Sequence, residues 1–190
     1  MKERNPAMRP TDLLMAEHRM ILKMIGRMRE QAAQMEALQT VNGAFVDSAV
    51  DFMRNYAGRC HHAKEESIFF HDMAKKPLPG PMRQTLSELL DAHAQMRSHV
   101  EDLAADRQEH IAGRPDAWRK ITGHMRALVA LVPAHIREEE EQFFNPSMDT
   151  LSPREQEEMI EKFHEADRRQ IHEHYARAVC TWLPAGAPAK

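Results

Sequence analysis

The stretch Cys60-His61-His62-Ala63-Lys64-Glu65-Glu66-Ser67-Ile68-Phe69-Phe70 returns later in the chain as His135-Ile136-Arg137-Glu138-Glu139-Glu140-Glu141-Gln142-Phe143-Phe144. With His61 laid on His135, Glu65 falls on Glu139, Glu66 on Glu140, and the first Phe pair on the second. On an α-helix, residues i and i+4 lie one turn apart on the same face. Each copy therefore presents an imidazole and a carboxylate side by side. Phe69 and Phe143, a further turn along, mark that face as the inward one. An inward His and Glu are costly to bury unless something pairs with them. Two such pairs on two apolar faces point to a metal ion as the partner.

The rest of the chain is patterned to the same helical period. Pro10-Thr11-Asp12 opens a first helix with Thr11 or Asp12 as N-cap, and Leu14, His18, Ile21, Leu22 and Ile25 form its inward stripe. It runs to about Leu38 and breaks near Asn42-Gly43. A second helix carries Val46, Val50, Met53, Ala57, His61, Glu65 and Phe69, and must stop before Lys76-Pro77-Leu78-Pro79-Gly80-Pro81. Pro81 suits the first turn of a third helix, whose stripe reads Leu86, Leu89, Leu90, His93, Met96, Val100, Leu103. After the turn Gly113-Arg114-Pro115-Asp116, a fourth helix carries Ile121, Met125, Leu128, Val132, His135, Ile136, Glu139 and Phe143. Pro133 lies inside it, where a missing backbone bond bends a helix, and Asn145-Pro146 is expected to end the segment. Ser152-Pro153-Arg154-Glu155 has the form of a capping box opening a fifth helix through Phe163, Ala166, Ile171 and Tyr175 towards Val179. The expected architecture is all-α: an up-down four-helix bundle over residues 1–150, with an additional C-terminal helix and a frayed tail over 151–190.

Composition narrows the function. A chain of 190 residues is long enough for one domain with a sizeable core. A net charge of −3 leaves no electrostatic footprint for nucleic acid, and no apolar run approaches the ~20 residues of a membrane span. The polar start Met1-Lys2-Glu3-Arg4-Asn5-Pro6 has no apolar secretory core, and Cys60 and Cys180 form no motif, so the expectation is a reduced, cytoplasmic protein. The Met stripe (Met20, Met24, Met28, Met35) reads as core or interface filler. The twelve histidines are the oddity.

The first half contributes His18, His61 and Glu65, the second His93, His135 and Glu139, at nearly equal separations. A bundle of two such helix pairs brings all six side chains together near its middle, the way bundles build dimetal sites. That set suits iron best, with Mn or Zn as competitors. His62 and Glu66, one position round the helix, default to a solvated or hydrogen-bonding role, although a one-residue shift of register would make them the ligands. Glu138, Glu140 and Glu141 are expected on a charged outer face. Tyr56 is a boundary residue, or else a hydrogen-bond donor or extra ligand at the site's edge; Cys60 is a small buried or boundary residue and only a weak redox candidate; His164, His172 and His174 are expected on the surface, with a lid or a second metal patch as the alternatives. The basic pair Arg168-Arg169 and the fifth helix are candidate contacts for a protein partner or a second copy.

Taken together, the residues resemble the hemerythrin-like (HHE cation-binding) family. The matching motifs are Ala16-Glu17-His18, Cys60-His61-His62-Ala63-Lys64-Glu65-Glu66, Leu89-Leu90-Asp91-Ala92-His93, and His135 to Glu139 followed by Phe143-Phe144, over roughly residues 11 to 150. The resemblance implies a non-haem, oxo- or hydroxo-bridged di-iron centre. His18, His61, His93 and His135 are then terminal ligands, and Glu65 and Glu139 bridge the two metals. The sequence departs from the oxygen-carrying hemerythrins, which place two His one turn apart on the third helix; here Leu89 and Arg97 flank His93. It also has Glu140 where they use a bridging Asp. A position is thereby left for water, O2, peroxide, nitric oxide or another side chain. The leading expectation is a di-iron protein that binds or reacts with a small oxidant; the rival is a metal-, redox- or oxygen-sensing or metal-storage module without turnover.

Overall fold

The computed structural model describes residues 8–168, which form five helices with no strand among them. Helix α1 spans Pro10–Leu38. Helix α2 is a continuous rod over residues 43–74, regular at Gly43–Asp51 and Phe70–Ala74 but wound as π-helix at Phe52–His62 and Glu65–Phe69. Helix α3 is Gly80–Ile111. Helix α4 covers residues 117–148, with a π-helical segment at Glu139–Phe144, and α5 is Pro153–Arg168. None of them is long and apolar enough to cross a membrane.

The helix ends follow local chemistry. The N-cap of α1 is Arg9 rather than Thr11 or Asp12: Pro10 takes the first helical position, and Asp12, at the third, accepts the Arg9 backbone N–H at 2.8 Å. Gln39 ends α1 in the left-handed region (φ 50°), and Asn42 caps α2 by accepting from the Phe45 N–H. Gly113 (φ 81°) makes the turn after α3. Ser152 and Glu155 form the expected reciprocal capping box at the start of α5. Asn145-Pro146 does not end α4. A further helical turn, Asn145–Met148, continues through it, because Pro146 sits at the head of that turn, where its missing N–H removes little.

Two apolar clusters fill the bundle. One holds Ile21, Met24, Ile25, Met28, Met53, Ala57, Met96, Val100, Leu128, Val132 and Ile136 among others. The second holds Leu14, Phe69, Phe70, Leu89, Phe143 and Phe144, and extends to Met159 and Phe163 of α5. Each bundle helix passes from one cluster to the other, and on each the residues between the clusters are polar: His18 on α1, His61 to Glu65 on α2, His93 on α3, His135 and Glu139 on α4. The core is thus two oily layers with a buried polar layer between. Leu22 and Leu90, expected in the stripes, are 37% and 40% exposed. Each directly neighbours an inward residue (Ile21, Leu89), and a step of about 100° carries it out of the face.

Helix α5 is pinned across α1 and α2. Its Lys162 pairs with Asp72 at 2.7 Å, Glu155 with Lys76, and Asp167 with the buried Lys64 at 2.5 Å. Ile171, Tyr175, His172, His174, Arg169 and the Arg168 side chain lie outside the described residues.

Candidate metal centre

All six sequence-predicted ligands lie in the buried layer, and a seventh residue joins them. His18, His61, Glu65 and Glu139 form one group of converging donor atoms, and His62, His93 and His135 a second, the atoms within each lying no more than 4.8 Å apart. The carboxylates sit between the groups. Glu65 turns Oε1 to His61 (3.1 Å) and His18 (3.6 Å) and Oε2 to His93 (3.5 Å). Glu139 reaches His18 at 3.2 Å and His135 at 3.4 Å through Oε2.

His62 is the residue that the regular-helix reading left outside. The π-helical winding explains it. The Ala63 N–H reaches Gly58 O and the Phe70 N–H reaches Glu65 O, each five residues back. A wider turn advances each residue through a smaller angle than the 3.6-residue turn, so His61 and His62 both face inward with Glu65. His62 is buried and stacks on His93, ring centroids 3.9 Å apart and 16° between planes. It joins His93 and His135 in the second group of donor atoms. The signal was available in the sequence as two adjacent histidines, but only the winding turns both inward.

Around these residues runs a ring of orienting contacts. The Nδ1 atoms of three histidines each meet a carboxylate: His18 meets Glu140 (2.8 Å), His61 meets Glu17 (2.9 Å), and His93 meets Glu66 (2.9 Å). Nδ1–H donated to a carboxylate leaves the Nε2 lone pair facing inward, which is how a metal-binding imidazole is fixed in tautomer and direction. Glu140, expected on the outer face, is instead committed to His18. Glu66 also accepts from Arg97 at 2.6 Å, and Glu17 takes the Lys64 ammonium. The two halves are related by a pseudo-twofold. Glu66 and Phe70 of the first serve His93 of the second, while Glu140 and Phe144 of the second serve His18 of the first; the Phe rings stack on their histidines at 5.8 and 5.6 Å. Phe69, Phe70, Phe143 and Phe144 pack edge to face against one another beneath the layer and keep it dry.

Electrostatics in the metal-free protein are strained. Burial would hold His18 neutral, but the carboxylates of Glu139, Glu140 and Glu65 close around it outweigh that and raise its pKa well above the usual value. Burial drives His135 down to about 3, with the His93 charge adding to it, and burial likewise depresses His62. Burial also penalises Glu65, yet three close imidazoles hold its carboxyl well below the ordinary range. Glu139, fully buried and facing that charge, is pushed up to about 7. Seven buried polar atoms in the layer have no hydrogen-bond partner: His18 Nε2, both carboxylate oxygens of Glu65 and of Glu139, and Nδ1 of His62 and His135. Buried polar atoms are otherwise almost always satisfied. Unpartnered atoms on α1, α2 and α4, with His93 of α3 beside them, match the donor set of a cation.

Tyr56 is buried, stacked on Phe52 at 4.9 Å; burial, with the charge of Glu17, raises its pKa. Cys60 is buried and His164 exposed. A pocket of about 480 Å³ lies between α2 and α3, with Met53, Met96 and Val100 on its wall and His62 among its lining; Arg54 and Arg97 stand on its exposed side.

The fold and site together define a class: a helical bundle with a His- and carboxylate-lined metal-binding layer. The hemerythrin HHE cation-binding domain matches residues 9–146, and the chain belongs to that family. It is a metal-binding module of that kind, and family membership implies a bound metal ion, typically iron. No curated protein and no solved structure matches the chain.

Proposed function

We propose that the layer holds two iron ions. His18 and His61 would hold one, His62, His93 and His135 the other, and Glu65 and Glu139 would serve both. The observation that carries this is the two convergent groups of buried His and Glu donors between two apolar cores, with His18 Nε2 and all four Glu65 and Glu139 oxygens unpartnered. Carboxylates whose oxygens already face both histidine groups support the bridging role. A ferrous pair supplies electrons to a small oxidant such as O2, peroxide or nitric oxide. The chain's part is positional. Glu17, Glu66 and Glu140 hold three imidazoles with Nε2 inward, and the phenylalanine floor excludes water. The pocket that His62 helps to line is the approach to the layer in this reading, with room for a small molecule. The cytoplasm, where Cys60 stays reduced, suits such chemistry.

A second reading, a metal or redox sensor, draws on one observation. Lys64 joins Glu17, and so His61, to Asp167 on α5. Metal occupancy could then be felt by α5 and read by a partner or a second copy. Residues 151–190 would be the reporting element attached to a metal-binding bundle of residues 1–150.

The test is iron content per chain, by mass spectrometry on untagged protein, with visible spectra before and after peroxide. Close to two irons and a spectral change on oxidation are expected. Zinc alone, or no metal, would overturn the redox reading. Unchanged spectra together with metal-dependent protease sensitivity of α5 would favour the sensor.

A further inference from the structure

We propose that His99, Asp102 and His124 form a separate site for a divalent transition-metal ion of the zinc type, on the flank of the α3–α4 pair. His99 and Asp102 sit one turn apart on α3, and His124 faces them from α4. Their donor atoms lie within 4.8 Å of one another, and none belongs to the central layer. His99 is six residues from His93 and His124 eleven from His135, or about 9 and 16 Å along the respective helix axes.

The histidine geometry is that of a prepared site. His99 Nδ1 and His124 Nδ1 stand 3.1 Å apart. Neutral imidazoles can hold that contact only if one of these nitrogens presents a lone pair to the other. Asp106 determines which. Its Oδ2 lies 3.3 Å from His124 Nε2, and the carboxylate is itself buried and steadied by Lys120 at 3.7 Å. Nε2–H is thus donated to Asp106, and the Nδ1 lone pair of His124 points at His99. This carboxylate–histidine pairing is the same device that orients the imidazoles of the central layer, here on the opposite ring nitrogen. Two nitrogens on one tetrahedral zinc, each at about 2.05 Å, stand roughly 3.3 Å apart, so the observed spacing needs little adjustment. The exposed Asp102 carboxylate supplies the third donor, and the open side of the half-buried histidine pair leaves the fourth to water. A donor set of two imidazoles and a carboxylate selects Zn²⁺, Co²⁺ or Cu²⁺ over Mg²⁺ and Ca²⁺, which prefer oxygen alone. The ion would clamp α3 to α4.

The experiment uses the full chain carrying Glu65→Gln and Glu139→Gln, which removes the central carboxylates and leaves the flank intact. Co²⁺ is titrated in, followed by its visible bands and by calorimetry, and Zn²⁺ is then added in competition. One of the bound ions, displaced by Zn²⁺, is expected to be lost on adding His124→Gln or His99→Gln. Asp106→Asn, which acts only through His124, should weaken binding about 10–100-fold without changing the stoichiometry. Nitrogen-15 shifts of both Nδ1 atoms should move on Zn²⁺ addition. An intact cluster that binds no ion, or an ion whose affinity is untouched by the two histidine substitutions in folded protein, overturns the proposal. Because His62, His93 and His135 stay in place throughout, only the ion lost with His99 or His124 reports on the flank, which separates this result from the di-iron reading.

Discussion

Glu139→Gln separates what the centre costs the metal-free protein from what it contributes with metal. Both Glu139 oxygens are buried and unpartnered and face the charged Glu65, which raises the Glu139 pKa from 4.5 to about 7. A folded pKa above the unfolded one means that ionisation is penalised in the native state. The penalty is absent at low pH, grows as pH rises past 4.5, and is complete above 7. At 1.36 kcal/mol per pKa unit it amounts to about 1 kcal/mol at pH 5 and about 3 kcal/mol at pH 8. Glutamine cannot ionise, and its amide can donate to Glu65. The metal-free variant should therefore exceed metal-free wild type by those amounts in urea unfolding followed by circular dichroism. With Fe(II) under anaerobic conditions the order should reverse, because the variant has lost a ligand. A metal-free advantage that fails to widen between pH 5 and pH 8 would refute the buried-charge account. Undiminished iron stabilisation of the variant would refute the ligand role. The same sign makes metal binding by wild type weaken as pH falls through about 7, where the proton competes for Glu139; equilibrium dialysis at pH 6 and pH 8 checks this.

Further outcomes follow from the same geometry. His62→Leu should lower iron from about two to about one per chain by mass spectrometry while leaving the metal-free fold as stable as before, since it swaps a buried, partly unsatisfied ring for an apolar one. Glu66→Gln and Glu140→Gln should each weaken metal binding about 10–100-fold, and to a similar extent, because they occupy equivalent places about the pseudo-twofold; competition with a chelator measures it. Val100→Phe, filling the pocket near His62, should slow oxidant-induced spectral change in stopped flow without altering iron content. Phe143→Ala should cost about 3–5 kcal/mol in urea unfolding, since its ring is fully buried against Phe69 and Phe70.

Much of this was written in one dimension. Single histidines within apolar 3.6-residue stripes place His18, His93 and His135 on inward faces, and the repeat pairs His61 with Glu65 and His135 with Glu139. Burial bears these out because helical period and solvent exclusion are local consequences of the sequence. Capping at Ser152 and the break at Asn42-Gly43 were legible for the same reason. Leu22 and Leu90 show the limit: hydrophobicity alone does not say which of two adjacent leucines faces in. His62 and Glu140 show a deeper one. His62 turns inward only because α2 is π-wound where it crosses the layer, and Glu140 leaves solvent only because His18, 122 residues away, stands opposite. The sequence by itself determined that four helices carry His and Glu side chains on their buried faces, since composition and period are properties of each segment alone. Tertiary packing decided how those side chains gather into two groups, which carboxylates steady them and how Lys64 ties α5 to the centre. Those are relations between segments, and they exist only once the helices have fixed one another's rotation.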